Sequence, residues 1–423
     1  MAISPAAPPK RVVFLTFYYE AWDSLAEVYS RMLDDPRFEV LVVAIPRKLT
    51  GDASWDDASG VSDFFASLGI DHVIGSEDAS ELREWEPDFV FINYPWQRNY
   101  QPAYRADELV KFTRIAYVPY YSLPLVNEPG ILPGPDGRPG VTGHLYQQRS
   151  HQLASLVFTQ DRFVRDAYAS TSRGADHVFF TGSPKVDALI KAAEDIAAEG
   201  SIESADHRHA NGGRTRVVWA PHHSYSPHWL NFGTFAQMFV EALDWATEHP
   251  EIDVCLRPHP FMFGTLVDRD VISAADLEAW RKAWLALPNC SIDTDSGAAQ
   301  ILAKAQILLT DGISFLAEYP LATGRPAIFL ENQGHWRFTH IGELAAEACV
   351  RLNSFEEFEA GFDFILEAGL PDRSAQLAAL REAATPFAGN AAAKIVEIVA
   401  QHATSGPNGQ LPPLVDPSGV TET

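Results

Sequence analysis

The sequence has few cysteines, few basic residues and no long apolar run. Its three cysteines, Cys255, Cys290 and Cys349, form no CxxC pair, which favours core packing in a reducing compartment over disulfide or redox chemistry. Lys and Arg number 32 against 56 Asp and Glu, and the resulting net charge of −24 argues against a nucleic-acid partner. Because no run of about 18 apolar residues occurs, we expect no integral membrane segment and a cytoplasmic protein, with peripheral membrane association left open.

Several motifs of common enzyme classes are also missing. The sequence contains no GxSxG elbow, no Walker A motif and no GxGxxG loop, so hydrolase, P-loop and dehydrogenase functions lose their usual support. What it does contain is a globular composition, with 46% hydrophobic and 11% aromatic residues. Its 423 residues exceed one ordinary core and suit two domains of about 150 to 200 residues.

Short apolar runs alternate with segments of helical periodicity along most of the chain. This alternation predicts parallel sheets covered by helices on both faces. The predicted strands span residues 11–16, 39–45, 88–93, 114–119, 155–160, 177–181, 215–220, 253–257, 290–293, 306–310 and 326–330. The first helix is predicted over residues 22–33 and the last over 391–401.

Composition shifts divide the chain into five parts. We expect a leader at residues 1–10, an N-terminal Rossmann-like domain at 11–195, a linker at 196–214, a C-terminal Rossmann-like domain at 215–403 and a disordered tail at 404–423. The Gly- and Pro-rich segment 130–143 is either an active-site loop or an ordinary surface loop. The simplest architecture is α/β, with two Rossmann-like parallel-sheet domains facing an interdomain cleft.

Two motifs stand where apolar runs end. The first is Arg257-Pro-His-Pro260, in which the prolines fix the backbone around His259 and the guanidinium can bind phosphate oxygens in a bidentate manner. The second is Thr310-Asp-Gly-Ile-Ser314, between an apolar run at 302–309, predicted as a strand, and a helix predicted at 314–321. Ligands of open α/β sheets bind beyond the carboxyl ends of the strands, and helix N-termini bind anions. These motifs therefore predict a diphosphate site and a nucleotide-diphosphate donor.

The individual roles follow from residue chemistry. Arg257 and His259 would stabilise charge on the phosphates, and the N–H groups around Ser314 would bind an anion. Glu318, one helical turn later, suits a ribose hydroxyl because its charge would repel phosphate. The donor-binding set is completed by Thr310, Asp311 and Gly312.

Two further motifs follow predicted strands. In Thr181-Gly-Ser-Pro-Lys-Val-Asp187, Gly182 permits close backbone approach, and Lys185 and Asp187 place charge there, although an ordinary strand–turn–helix connection would look the same. In Ala220-Pro-His-His-Ser224, His222 or His223 is the candidate general base, and Ser224 is a candidate donor contact. A metal site is not predicted, because adjacent histidines point apart in an extended chain and no carboxylate or Cys lies at ligand spacing.

Taken in order, the four motifs resemble those of the CDP-glycerol glycerophosphotransferase family, the teichoic-acid polymerases of the TagF type. The resemblance covers about residues 177 to 335 and implies a GT-B fold. It also implies transfer of a polyol phosphate from a CDP-linked polyol (CDP-glycerol or CDP-ribitol type) to a polyol-phosphate or glycan acceptor in cell-wall or capsule synthesis. CMP would be released without metal or other cofactor.

The chain departs from the family pattern at three places. Lys185 replaces an arginine, and Gly312-Ile313 replace Tyr-Ser. The family's N-terminal His-Gly-Thr-Pro segment corresponds here to Tyr117-Val-Pro-Tyr-Tyr-Ser122, which has no histidine, so Tyr120 or Tyr121 is assigned to the acceptor side. The base is then sought at His222 or His223, and after them at His144, His151 or the acceptor itself. Two alternatives stay open: a GT-B glycosyltransferase with a nucleotide-sugar donor, and a non-catalytic binding protein on a degenerate GT-B fold.

Overall fold

The computed structural model describes residues 8–48, 54–128, 143–198, 214–294 and 297–402. The expected leader up to residue 7, the loop segment 130–142, most of the linker and the tail from residue 404 lie outside these described residues. Among the described helices, none combines the length and apolar character needed to cross a bilayer.

Thirteen strands form within the described residues. They are β1 (Lys10–Thr16), β2 (Phe38–Ala44), β3 (Val73–Ile74), β4 (Phe89–Ile92), β5 (Arg114–Tyr117), β6 (Leu156–Thr159), β7 (Val178–Phe180), β8 (Arg216–Ala220), β9 (Asp253–Leu256), β10 (Cys290–Ile292), β11 (Ile307–Thr310), β12 (Ile328–Leu330) and β13 (Val350–Leu352). The order in the first sheet is β3-β2-β1-β4-β5-β6-β7, and in the second it is β10-β9-β8-β11-β12-β13. Every strand pair in both sheets is parallel.

Helices connect most of these strands. They are α1 (Ala26–Leu33), α2 (Ser59–Ser67), α3 (Ser80–Trp85), α4 (Ala106–Leu109), α5 (Gly143–Tyr146), α6 (Arg149–Leu153), α7 (Arg162–Ala169), α8 (Pro184–Ala198), α9 (Phe235–Glu248), α10 (Met262–Asp268), α11 (Ala274–Ala286), α12 (Ala298–Lys304), α13 (Ile313–Thr323), α14 (His340–Glu347), α15 (Phe355–Ala368), α16 (Ser374–Ala384) and α17 (Ala391–Gln401). Single 3-10 turns occur at Tyr19–Ser24, Gln97–Asn99 and Pro102–Tyr104.

Each sheet is buried on both faces, as apolar strands between helical layers require. In β1, Val12 and Phe14 pack into one core cluster, and Val13 and Leu15 pack into the cluster on the opposite face. In β8, the alternate residues likewise divide between two clusters of the second sheet. Successive side chains of a strand point to opposite faces of the sheet, which explains this division. Because both faces are buried, the strand sequences are apolar almost throughout.

Two local predictions about elements were wrong. The apolar run 302–309 is not one strand, because its first residues complete α12 and β11 begins at Ile307. The helix predicted over 22–33 is a 3-10 turn followed by α1, and Ala21 inside that turn has a non-helical conformation. In both places the apolar spacing is compatible with either structure over a few residues, so periodicity alone could not decide.

The chain divides into two compact units that do not follow the sequence-based boundaries. Of the described residues, unit 1 contains 8–48, 54–122, 143–185 and 387–402, and unit 2 contains 123–128, 186–198, 214–294 and 297–386. Helix α17, which composition assigned to the C-terminal domain, belongs to unit 1. Its apolar stripe, which includes Ile395 and Val399, packs in one core cluster with Val28 and Met32 of α1.

The segment that follows β5, described from residue 123 to residue 128, belongs to unit 2 although β5 itself belongs to unit 1. Its residue Val126 forms an isolated antiparallel bridge with Phe338, and Thr339 donates a hydrogen bond to the Pro124 carbonyl at 2.6 Å. Gly342, in the first turn of α14, lies so close to this segment that an added Cβ would be 1.9 Å from the Leu125 carbonyl oxygen. Only glycine permits this contact.

Candidate functional site

Three neighbouring strands of unit 2, β9, β8 and β11, end beside one another and carry three of the four sequence motifs. Hydrogen bonds continue past the strand ends: the Arg257 N–H donates to the Trp219 carbonyl at 2.7 Å, and the His259 N–H donates to the Pro221 carbonyl at 3.1 Å. On the other side, the Thr310 hydroxyl donates to the Ala220 carbonyl at 2.9 Å. The loop after β8 is therefore held from both sides by the loops after β9 and β11.

The Asp311 side chain anchors the loop that follows β8 through hydrogen bonds. Its carboxylate is fully buried and accepts hydrogen bonds from the His222 N–H at 2.5 Å, the Thr234 N–H at 2.5 Å and the Thr234 hydroxyl at 2.8 Å. Burial raises the pKa of Asp311 to about 7, and the hydrogen bonds from Thr234 and His222 oppose that rise. Both carboxylate oxygens are thus occupied by protein donors, so Asp311 positions the His222 loop.

His222, His223 and His259 form the imidazole cluster. Their ring centroids are 4.5 Å apart for His222 and His223, 4.1 Å for His223 and His259, and 5.2 Å for His222 and His259. Burial holds the pKa of His222 and of His259 well below the usual value, and neighbouring imidazoles add to this effect. For His223, burial and then the charge of Arg269 lower the pKa to about 4. All three rings are therefore neutral at pH 7.

Backbone donors fix the tautomers of two of these rings. The Phe261 N–H donates to Nδ1 of His259 at 3.2 Å, and the Ser224 N–H donates to Nδ1 of His222 at 3.3 Å. The Ser224 hydroxyl accepts from the Phe232 N–H at 2.9 Å and lies 2.9 Å from the same Nδ1. A neutral imidazole whose Nδ1 accepts carries its proton on Nε2. His222 and His259 are therefore hydrogen-bond donors through Nε2.

Helix α13 begins next to this cluster. Its N-cap residue is Gly312, which has no side chain to cap the helix, and whose added Cβ would lie 3.1 Å from the His222 Cβ. Ser314, the second residue of the helix, is exposed, as a ligand contact requires. Glu318 is 4% exposed and lies among the buried residues of the helix. The uncapped N-terminus supplies the positive end of a helix dipole beside the imidazoles.

Arg257 has a protein partner. Its Nη1 donates to the Asp293 carboxylate at 3.0 Å and to the Asp293 carbonyl at 3.1 Å, and both side chains are less than one-fifth exposed. The pair joins the ends of β9 and β10. To bind a phosphate, Arg257 would replace one of its hydrogen bonds to Asp293 with a bond to a phosphate oxygen.

The fourth motif spans the boundary between the units. Gly182 has a φ of +82° in the turn between β7 and α8, a conformation that favours glycine. Lys185 lies in unit 1 and forms an ion pair with Asp23 at 3.2 Å, and Asp187 lies two residues further along α8, in unit 2. The structure thus does not place Gly182 and Lys185 in the unit that contains the imidazole cluster.

The predicted acceptor-side tyrosines belong to an aromatic group in unit 1. Tyr120 packs against Tyr94 with ring centroids 5.3 Å apart and against Tyr121 at 5.4 Å. Burial raises the pKa of both tyrosines well above the usual value, so neither ionises near neutral pH. Of the reserve bases, His151 is buried in unit 1 with its pKa lowered by burial to about 3, and the side chain of His144 lies outside the described residues.

Some contributors to the site were not predicted from the sequence. They are Thr234, which holds Asp311, Phe261, whose N–H sets the His259 tautomer, and Asp293, which pairs with Arg257. Phe261 follows the Arg257–Pro260 motif and Asp293 follows β10, so their proximity to the strand ends could have been inferred. Thr234 directly precedes α9, a position typical of an N-cap residue. Nothing in the sequence indicates that it contacts Asp311, which lies 77 residues further along the chain.

The two parallel sheets with their helices form a two-domain GT-B architecture of Rossmann-like domains. The comparisons agree. A UDP-GlcNAc 2-epimerase from Neisseria meningitidis, solved with UDP-GlcNAc, matches with a TM-score of 0.58, 15% identity, and coverage of 93% of this chain and 100% of the epimerase. S. aureus MnaA, solved with UDP, matches with a TM-score of 0.57, 12% identity, and coverage of 92% and 96%.

The wall teichoic acid polymerase TagF is similar to the same degree. Its TM-score is 0.56 at 12% identity, with 93% of this chain and 89% of the TagF chain covered. No protein-family model and no curated protein matches the sequence. The similarity to these solved structures establishes the GT-B fold, which was predicted from the motifs.

Proposed function

We propose that the chain is an enzyme that transfers a polyol-phosphate group from a CDP-activated donor, of the CDP-glycerol or CDP-ribitol type, to an acceptor hydroxyl. The observation that carries this proposal is the imidazole cluster next to the uncapped start of α13. Two fixed Nε2–H donors and a helix N-terminus at the carboxyl edge of a parallel sheet are suited to a diphosphate. The order of the four motifs and the fold shared with TagF favour a CDP-linked polyol as the donor.

In this reaction the acceptor oxygen attacks the distal phosphorus, and the bond from that phosphorus to the CMP oxygen breaks. The hydroxyl proton passes to a group on the acceptor itself, because Nδ1 of His222 and of His259 already accepts a backbone hydrogen bond and their Nε2 atoms carry protons. Negative charge grows on the phosphate oxygens during the step. Nε2–H groups of His222 and His259 and the N–H groups near Ser314 would stabilise that charge. Thr310, Gly312 and Glu318 stay proposed donor contacts, as do Gly182, Lys185 and Asp187.

A second candidate is an enzyme that acts on a nucleotide sugar. The observation that favours it is the equal fold similarity to UDP-GlcNAc 2-epimerases, one of them solved with UDP-GlcNAc. The same anion-binding groups would hold its diphosphate, and the chemistry would occur on the sugar instead of on phosphorus. The two candidates therefore share a site and differ in product.

A donor panel separates them. Purified protein is incubated with CDP-glycerol, CDP-ribitol or UDP-GlcNAc, with and without a polyol-phosphate or glycan acceptor, and the nucleotides and sugars are resolved by chromatography. Acceptor-dependent release of CMP supports the proposed transfer. Release of UDP or a changed sugar supports the second candidate, and binding without turnover of any donor contradicts both and favours the non-catalytic alternative.

A further inference from the structure

His223 differs from the other two members of the imidazole cluster. Nδ1 of His222 and Nδ1 of His259 each accept from a backbone N–H, whereas His223 makes no hydrogen bond within the described residues. It nevertheless lies against both rings, with centroid distances of 4.5 Å and 4.1 Å. His223 is therefore the imidazole of this cluster with a lone pair open to a proton.

The charged and titratable groups around His223 disfavour its protonation in the unliganded protein. His222 comes from its own loop, His259 and Arg269 come from the segment after β9, and Asp311 comes from the end of β11. Arg269 and burial lower the pKa of His223, and no carboxylate in the described part of the chain forms an ion pair with it. Asp311 directs its oxygens to the backbone of His222 and to Thr234. The Arg257 charge is paired with Asp293, and the hydroxyl of Tyr225 stays neutral because burial raises its pKa.

We propose that His223 takes up a proton when a diphosphate ester binds to the imidazole cluster, so that donor binding and protonation of His223 are coupled. This inference rests on the proposed function of the cluster as a diphosphate site. Two negative phosphates supply the counter-charge that the unliganded cluster lacks, and an anion within a few ångströms favours the charged form of an imidazole. His222 and His259 then donate through Nε2 without changing their protonation.

The low pKa of His223 in the unliganded protein determines whether protons are taken up or released on binding. With its pKa at about 4, His223 is unprotonated from pH 5.5 upward before the ligand binds. Binding raises that pKa, so protons are taken up at any pH between the free and the bound value. In that window the affinity for the donor rises as the pH falls, by roughly tenfold per pH unit for one proton.

A metal ion is the competing ligand for three clustered imidazoles. Their nitrogens lie within 4.8 Å of one another, a spacing that an ion could bridge. A metal needs a lone pair on each ligating nitrogen, however, and the backbone donors at Nδ1 place protons on Nε2 of His222 and His259. The tautomers therefore favour an anion, and the experiment includes the metal as an outcome.

Isothermal titration calorimetry in two buffers of different ionisation enthalpy measures proton uptake directly. CDP-glycerol and UDP-GlcNAc are the probes, because both phosphates of each are esterified and lose no proton near neutral pH, unlike a terminal phosphate. The expected uptake at pH 6 is about one proton per ligand in the wild type and close to zero in His223→Asn. His228→Asn is the matched control, an exposed histidine of the same loop, and should behave as the wild type.

The outcomes separate the proposals. Binding without proton uptake in the wild type, or unchanged uptake in His223→Asn, overturns the coupling and leaves the diphosphate site standing. No binding of either probe overturns the diphosphate site and the coupling with it. Tight binding of Zn²⁺ alone, lost in His223→Asn and His259→Asn, assigns the cluster to a metal instead. If His223→Asn does not fold, His223→Gln and the wild-type measurement decide.

Discussion

The two ring nitrogens of His259 have different roles in the proposed site, so their contributions can be separated by substitution. Nδ1 accepts the Phe261 N–H at 3.2 Å just before α10 begins at Met262, and Nε2 carries the proton proposed to contact a phosphate. The Oδ1 atom of an asparagine can accept from the N–H two residues ahead, as Nδ1 does here. We therefore predict that His259→Asn keeps the backbone contact and removes only the phosphate donor, whereas His259→Ala removes both.

The expected magnitudes follow from these contacts. A hydrogen bond to a charged group contributes about 1.5–3 kcal/mol, so loss of the Nε2 donor should weaken donor binding by about 10- to 150-fold in both variants. Turnover should fall by on the order of 100-fold, as it does when a transition-state donor is removed. His259→Ala additionally loses an acceptor for a backbone N–H, worth about 1 kcal/mol, or about 2–4 °C in Tm for a unit of this size.

Calorimetric titration with CDP-glycerol and UDP-GlcNAc measures the affinity, and differential scanning calorimetry measures the Tm. The pattern that supports the assignment is equal loss of affinity in both variants, with a lowered Tm only in His259→Ala. If His259→Asn binds the donor within threefold of the wild type, His259 is not a phosphate ligand. If it unfolds as early as His259→Ala, the separation of the two nitrogens is wrong.

Three further substitutions test the surroundings of the site. Burial raises the pKa of Asp311 from 3.8 to about 7, so between these pH values the native protein keeps a proton that the unfolded chain has lost. The free energy of unfolding of the wild type, relative to that of Asp311→Asn, should therefore fall by about 3 kcal/mol from pH 5 to pH 8. A difference in urea unfolding that does not change with pH would contradict this. Gly312→Ala places a Cβ 3.1 Å from the His222 Cβ, so donor affinity should fall by about three- to tenfold in titrations at nearly unchanged Tm, and unchanged affinity would show that His222 tolerates the shift. Gly342→Ala places a Cβ 1.9 Å from the Leu125 carbonyl oxygen and should cost about 1–3 kcal/mol in urea unfolding, whereas wild-type stability would mean that this contact is loose.

The sheets could be predicted because their central strands are apolar on both faces. The two strands that were not predicted are edge strands: β3 has two residues, both exposed, and β13 is exposed or half-buried throughout. Such strands lack the contrast between buried and exposed positions that sequence patterns record. Their pairing depends on a neighbouring strand already being in place, which is tertiary information.

The positions of the site motifs could be predicted, but their contacts could not. Strand ends locate Arg257, His259 and Asp311 at one edge of a sheet, because parallel strands end on the same side. The sequence does not show that Asp311 accepts from residues 89 and 77 positions away, or that Arg257 pairs with Asp293. These contacts depend on loop conformations, which are set by packing and not by local pattern.

The membership of α17 in unit 1 has a consequence for synthesis of the protein. Ile395 and Val399 complete a core whose other members include Val28 and Met32, so this core stays open while the whole of unit 2 is translated. At roughly 5–20 residues per second, translation of the intervening 201 residues (186–386) leaves the apolar face of α1 uncovered for about 10 to 40 s. The apolar face of α1 in the nascent N-terminal part therefore lacks its native cover until α17 has been translated.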